Sequence, residues 1–302
     1  MEAPVQILTP EDLTRGETGE PPSVAAVIGS GAMGHGIAQV FATAGWRVRL
    51  VDARPGAAAA GLARIGESLA TAVAKGKAGA ADRDAALSRI ELPGDLRQAV
   101  SRAAWVVEAI PEDLESKREL FRRLGEEAAP EAVLATNTSS LSVTKIAEAA
   151  RRPERVLGLH FFNPPPVMKL LEIIRAARTA PEILEAARVL ARQLGKTAIV
   201  VKDSPGFATS RLGVALGLEA MRMLEEGVAG AEDIDRAMEL GYGHAMGPLR
   251  VSDLVGLDVR LAIAETLRRE LQDDRFEPPE ILREKVRAGK LGKKTGEGFH
   301  RW

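Results

Sequence analysis

The chain has 302 residues, 45% apolar and 27% charged, with a net charge near −1, the profile of one large or two ordinary globular domains. That balance supplies no bulk field for nucleic acid or an anionic membrane, and no apolar run approaches the ~18 residues of a membrane span. The absence of cysteine excludes disulfides, thiol nucleophiles and cysteine-ligated metals, and four scattered histidines (His35, His160, His244, His300) argue against a multi-histidine metal site.

Residues 1–22 are polar, with Pro, Gly and acidic residues and no period, which predicts a flexible arm. They lack the basic start and apolar stretch of a secretory signal, so a cytoplasmic protein is expected. VAAVIG (24–29) reads as a buried parallel strand. It enters the turn Gly29-Ser30-Gly31-Ala32-Met33-Gly34, and the amphipathic helix that follows stops at Gly45. WRVRLVD (46–52) is a second strand and ends on Asp52.

A lone GxGxxG is common by chance, but here a strand precedes it, a helix follows it and an acid closes the next strand. In that setting Gly29 permits the tight turn, Gly31 admits a pyrophosphate against the backbone, and Gly34 lets the helix pack on the strand. Asp52 stands where a carboxylate accepts hydrogen bonds from an adenosine ribose, which favours NAD over NADP. Arg54, two residues on, is the one residue nearby that could pair with a 2′-phosphate.

An Ala-rich helix is predicted over about 56–75, then a polar connector. Strands follow at 105–110, 133–137, 156–162, 169–175 and 197–202, with helices after the first two and between the last two. Alternating strands and helices predict an α/β, mainly parallel, doubly wound sheet of Rossmann type. From DSPGF (203–207) onward four segments read as helices with Gly stops and Pro or acidic starts, and no strand is convincing. The expected organisation is therefore an arm (1–22), a dinucleotide-binding domain (23–203) and an all-helical domain for substrate and dimerisation (204–302).

Asn137 and Asn163 are the only asparagines, against abundant Ala, Arg, Glu and Gly. Loss of Asn and Cys suits a protein that must survive heat, and a GC-rich genome gives the same bias. In so poor a background the two that remain call for a reason.

NTSSL (137–141) and GLHFFNPPPVMKLLEII (158–174), with DSPGF, EDIDRAMELGYGHAMGP and GKLGKKTGEGFHRW, resemble the 3-hydroxyacyl-CoA dehydrogenase family, including its bacterial 3-hydroxybutyryl-CoA members. The resemblance runs in order from about Val24 to the C-terminus. It implies NAD-dependent, reversible oxidation of a short-chain (S)-3-hydroxyacyl-CoA to the 3-ketoacyl-CoA. Such an oxidation needs a base for the hydroxyl proton as hydride leaves for the nicotinamide. His160, ending a strand at the ligand-binding edge, is the candidate, and Glu172 on the neighbouring strand can come back alongside to orient it. In the resembled family these positions form the His–Glu pair.

The resemblance also carries roles onto Ser139 (substrate and nicotinamide), Asn163 (nicotinamide ribose), Glu112, Lys117 and Lys294 (cofactor), and Ser68 and Lys75 (coenzyme A). Ser68 and Lys75 lie seven apart and share a helix face. Ser139 could alternatively cap the next helix, a task open also to Ser140 or Ser142. Where the family reads D-T-P-G-F-x-x-N-R this chain reads DSPGFATSR. Ser210 therefore replaces the substrate-contacting asparagine, and the acyl preference is left open. A homodimer through the helical domain is expected from its surplus of apolar face, such as LGVALGLEAMRML, and from the family habit. Two other readings share this sequence: a related dehydrogenase of free hydroxy acids such as L-gulonate, and a non-catalytic NAD- or CoA-binding relative.

Overall fold

The computed structural model describes residues 24–302, and the expected arm at 1–22 lies outside them. The chain divides between Asp203 and Ser204 into two compact units.

The first unit carries an eight-stranded sheet. Its strands are β1 (Val24–Ile28), β2 (Arg47–Val51), β3 (Ile90–Glu91), β4 (Trp105–Glu108), β5 (Val133–Thr136), β6 (Val156–Phe161), β7 (Leu170–Arg175) and β8 (Thr197–Lys202). They lie in the order β3-β2-β1-β4-β5-β6-β7-β8. Every pairing is parallel except β6 with β7. The exception has a simple cause. A parallel pair needs a long crossover, and the stretch from 162 to 169 holds no helix, so β7 must run back beside β6. The mainly parallel doubly wound sheet expected from the sequence is the fold found.

The helices of this unit are α1 (Gly34–Thr43), α2 (Ala57–Ala74), α3 (Ala80–Ser88), α4 (Leu96–Val100), α5 (Leu114–Glu127), α6 (Val143–Ala147) and α7 (Pro181–Gln193). Strands β1, β4 and β5 read as near-continuous apolar runs because helices on either side bury them, all but Val24 at the start of β1. On α7, Ile183, Ala186, Ala187, Leu190 and Ala191 form the inward stripe, and Pro181 opens the helix where its missing N–H costs nothing. Each large aliphatic residue so buried contributes roughly 1.5–3 kcal/mol.

The segment read from sequence as a polar connector contains α3, β3 and α4. Their signals are short: α3 buries only Ala86 and β3 spans two residues.

The second unit is helical: α8 (Thr209–Glu225), α9 (Ala231–Tyr242), α10 (Pro248–Val255), α11 (Leu257–Leu271) and α12 (Glu280–Arg287). Val214, Leu218, Met221, Ile234, Leu249, Leu257 and Leu267 form its core. The sequence reads one continuous helix over 250–271. The structure breaks it at Gly256, whose φ of 103° no helix accepts. The C-terminal tail is fastened by Asp253, whose carboxylate accepts from the Phe299 and His300 N–H groups (both 2.8 Å) and from the Trp302 indole (3.1 Å). No described helix is long and apolar enough to cross a membrane.

Candidate active site

Strands β1, β4, β5 and β6 point the same way, so their carboxyl ends lie along one edge, where open α/β sheets bind ligands. The glycine turn leaves β1 there. Gly29 has φ 94°, and a Cβ on it would lie 2.6 Å from the Ala109 carbonyl at the end of β4. A Cβ on Gly34 would fall onto the Gly29 carbonyl, so α1 packs this closely only because both residues are bare. A Cβ on Gly31 would meet nothing within 4 Å. That open flank, below the first turn of α1, suits the approach of a pyrophosphate to the backbone.

Asp52 follows β2 and accepts from the Ser30 N–H (2.8 Å) and the Ser30 hydroxyl (2.9 Å). It also takes the Arg54 N–H (3.0 Å) and Arg54 Nε (3.1 Å). Burial works against its charge, but the guanidinium of Arg54 and the Ser30 and Arg54 N–H groups together hold its carboxyl well below the usual range. The Arg54 side chain is 73% exposed, so that arm of the network is weak and easily exchanged for another donor. Arg64 on α2, not singled out from sequence, braces the turn by donating to the Ser30 carbonyl at 2.7 Å.

His160 and Glu172 are direct partners in the β6–β7 register. Cross-strand partners on one face meet, and here His160 Nδ1 stands 2.7 Å from Glu172 Oε2 with Glu172 fully buried and His160 7% exposed. A carboxylate at Nδ1 favours the Nδ1–H tautomer and makes Nε2 the basic nitrogen. The Phe162 ring packs against the imidazole, centroids 4.5 Å apart.

Asn137 accepts from the Phe161 N–H at 2.8 Å and donates its own N–H to the Glu108 carbonyl at 2.9 Å. It thus ties the loop after β5 to the strand end that carries His160. Asn163 lies exposed just beyond β6. Ser142, rather than Ser139, caps α6 by accepting from the Lys145 N–H, which releases Ser139 from the alternative role weighed for it.

Ser139 sits in a turn gathered around Glu112. One oxygen of Glu112 faces the Thr138 hydroxyl (2.6 Å) and the N–H groups of Ser139 (2.9 Å) and Ser140 (3.2 Å). Beneath it lies Lys117, 1% exposed, with its ammonium 3.4 Å from Glu112 and 2.5 Å from Glu108. Glu108 is itself fully buried at the end of β4, where it also accepts from Thr136 (2.6 Å). Burial pushes the Glu108 carboxyl up despite the lysine. Burial also works on Glu112, but Thr138, Lys117 and the neighbouring donors outweigh it and hold that carboxyl down. The sequence marked Glu112 and Lys117 as cofactor contacts; in the structure Lys117 is an internal support under Glu112. The buried Glu108 and Thr138 were missed, because burial leaves no local mark in the sequence and, unlike Asp52, neither completes a motif.

Ser68 is half-buried on α2 and Lys75 is exposed at its C-terminal end. In the second unit Ser210 is half-buried in the first turn of α8, and Lys294 donates to both oxygens of Asp258 at 2.6 Å.

Two family models match the chain: the NAD-binding domain of 3-hydroxyacyl-CoA dehydrogenase over residues 24–204 and its C-terminal domain over 206–302. A probable 3-hydroxybutyryl-CoA dehydrogenase of Bacillus subtilis is 45% identical over 274 residues, covering 91% of this chain and 95% of the relative. A 3-hydroxybutyryl-CoA dehydrogenase of Mycobacterium tuberculosis is 43% identical over 276 residues, 91% of this chain and 96% of its own. Among solved structures, (S)-3-hydroxybutyryl-CoA dehydrogenase from Ralstonia eutropha superposes with a TM-score of 0.89 at 38% identity, covering 93% of this chain and 99% of that one.

Proposed function

The chain belongs to the 3-hydroxyacyl-CoA dehydrogenase family, and on that premise we propose that it works through His160 as proton acceptor, with Glu172 behind it. It is an NAD-dependent enzyme that oxidises (S)-3-hydroxyacyl-CoA thioesters, short-chain ones among them, to 3-ketoacyl-CoA, reversibly. The observation that carries the catalytic assignment is the 2.7 Å contact between His160 Nδ1 and Glu172 Oε2.

The glycine turn, the N-terminus of α1 and Asp52 hold the dinucleotide, which when bound supplies the acceptor for the substrate's hydride. His160 Nε2 takes the proton of the 3-hydroxyl as that hydride leaves. Glu172 fixes the ring and stabilises the imidazolium that forms. Ser139 donates to the reacting oxygen, and the Glu112 carboxylate keeps the Ser139 turn in place. In the reverse direction the imidazolium returns the proton to the ketone oxygen. Asn163 and Lys294 serve the cofactor, Ser68 and Lys75 the coenzyme A, and Ser210 the acyl part of the substrate.

Purified protein is expected to oxidise NADH on addition of acetoacetyl-CoA. NADH should exceed NADPH at least about tenfold in kcat/KM, because the carboxylate of Asp52 repels a 2′-phosphate. Rapid oxidation of L-gulonate with no reaction of the thioester would move the protein to the free-acid branch. Tight NADH binding without any turnover would make it a non-catalytic relative.

The second unit leaves Leu212 (71% exposed) and Leu216 on α8, and Leu240 (81%) and Tyr242 (80%) on α9, open to solvent. Such apolar surface supports a homodimer formed through this unit. Sedimentation equilibrium is expected to return twice the chain mass at micromolar concentration, and a monomer at that concentration would exclude it.

A further inference from the structure

Beyond α7 the chain turns at Gly195, whose φ is 66°, and enters β8. β8 pairs in parallel with β7, Thr197 opposite Leu170, so the residue before β8 stands beside the loop that enters β7. That residue is Lys196, 9% exposed. Its ammonium donates to the carbonyls of Pro165 (2.6 Å) and Met168 (2.8 Å), and no carboxylate pairs with it among the described residues. Burial, with the Lys169 ammonium nearby, holds it below the usual lysine range. Enclosing a cation against neutral acceptors is costly, and an apolar side chain would fill the place without that cost. What the lysine adds is its donors.

The loop joins the strands that carry His160 and Glu172, and it is short of donors of its own. Asn163 is followed by Pro164, Pro165 and Pro166, which have carbonyls but no N–H. The Pro164 carbonyl accepts from the N–H groups of Val167 (3.0 Å) and Met168 (3.1 Å), which closes the loop on itself. The Pro165 and Met168 carbonyls are the ones Lys196 takes. Pro165 also meets the dinucleotide helix: a Cβ on Gly36 of α1 would stand 2.8 Å from its Cδ. The residue is thus held at its ring by α1 and at its carbonyl by Lys196, while Asn163 and Pro164 before it are exposed. Proline fixes φ near −65°, so a hold on Pro165 carries back through two stiff residues to Asn163.

We infer that Lys196 is a positioning residue for the dehydrogenase reaction: its ammonium fixes the 164–168 loop and, through it, Asn163 at the nicotinamide ribose. This rests on the proposed contact of Asn163 with that ribose. The adenosine half of the cofactor is beyond the lysine's direct influence. Asp52 follows β2, six strands from β8 in the sheet, which is roughly 25–30 Å at the usual strand spacing.

The test sets NADH against AMP, the adenosine half alone. Lys196→Met is expected to raise the NADH dissociation constant about tenfold and to lower kcat for acetoacetyl-CoA about tenfold to a hundredfold, the scale of a reacting group misplaced by about an ångström. AMP affinity, read by competition, should stay within about twofold of wild type. Lys196→Gln, which keeps an amide donor, should retain part of both properties. Added to Asn163→Ala, Lys196→Met should cost no more than about a further twofold, because both act through one contact. A folded Lys196→Met with wild-type NADH affinity and kcat overturns the inference. So does an equal loss of NADH and AMP, which marks a general structural defect. Effects that multiply with those of Asn163→Ala overturn it as well, since the lysine then acts elsewhere. If Asn163→Ala alone matches the wild type, the ribose contact falls and the inference with it. If Asn163→Ala is impaired and Lys196→Met is not, only the lysine's part fails. Should the Met variant not fold, the same comparison of NADH with AMP in the Gln variant decides.

Discussion

Replacing His160 with Gln is expected to lower kcat for acetoacetyl-CoA reduction by about 10²- to 10⁴-fold, the contribution of a positioned general acid–base. Gln keeps a polar side chain of similar reach, so Glu172, buried at zero exposure, still has a donor and the strand pair β6–β7 is undisturbed. What Gln cannot do is accept and return a proton near neutral pH. NADH affinity, measured by fluorescence titration, should stay within about twofold, because the glycine turn, Asp52 and α1 are untouched. The loss therefore belongs in kcat and kcat/KM together, the sign of an interaction made in the transition state. A Gln variant that turns over at the wild-type rate removes His160 as the base. One that is slow but has also lost NADH points to a binding defect instead.

The second large effect concerns stability. Lys117→Met removes the only cation beside Glu108 and Glu112 among the ion pairs of the described residues, and it leaves a buried carboxylate behind. Breaking a buried pair from one side costs about 3–5 kcal/mol. For a protein of this size class that is a fall in Tm of roughly 6–20 °C.

The cost should grow with pH. Burial already raises the folded-state carboxyl of Glu108 above its ordinary value. A group raised in this way stabilises the fold while protonated and loses that contribution as pH rises through its folded value. Without Lys117 the value climbs further, so calorimetry should find the variant closer to wild type at pH 5 than at pH 8. Glu108→Gln combined with Lys117→Met should recover much of the Tm, since a neutral pair replaces the charged one. It should not recover kcat, because Glu112 still lacks its lysine and the Ser139 turn is less firmly held. Equal melting of Lys117→Met and wild type at pH 8 would contradict the buried network.

Much of the molecule was readable in one dimension. The glycine turn is local: Gly29 needs a positive φ, Gly34 must lack a Cβ, and a strand and helix flank them within a few residues. The buried parallel strands announced themselves as apolar runs of Val, Ile and Ala, because both faces of the sheet are covered. The His160–Glu172 pair was within reach as well. A twelve-residue separation across a short, proline-broken loop admits only a returning strand, and the register then sets the two opposite one another.

Other features gave no local signal. α3, β3 and α4 are too short for a hydrophobic period to emerge. Gly256 stood inside a good helical pattern, and only its φ reveals the break. The sequence marked Lys117 as a cofactor contact and gave no sign of its enclosure, because spacing does not report burial. The lysine is enclosed because β4 ends on a carboxylate that chain topology places under it.

The sequence by itself therefore determined what depends on neighbours along the chain: the main strands and helices in their order, the dinucleotide turn and the family, and it singled out the imidazole proposed here as the base. Only the tertiary structure decided which charges are buried, which are answered and by whom. That division has a physical basis. Backbone conformation and periodicity are set over a few residues, whereas the free energy of a charge is set by whatever stands within a few ångströms in space, and those groups come from the whole length of the chain.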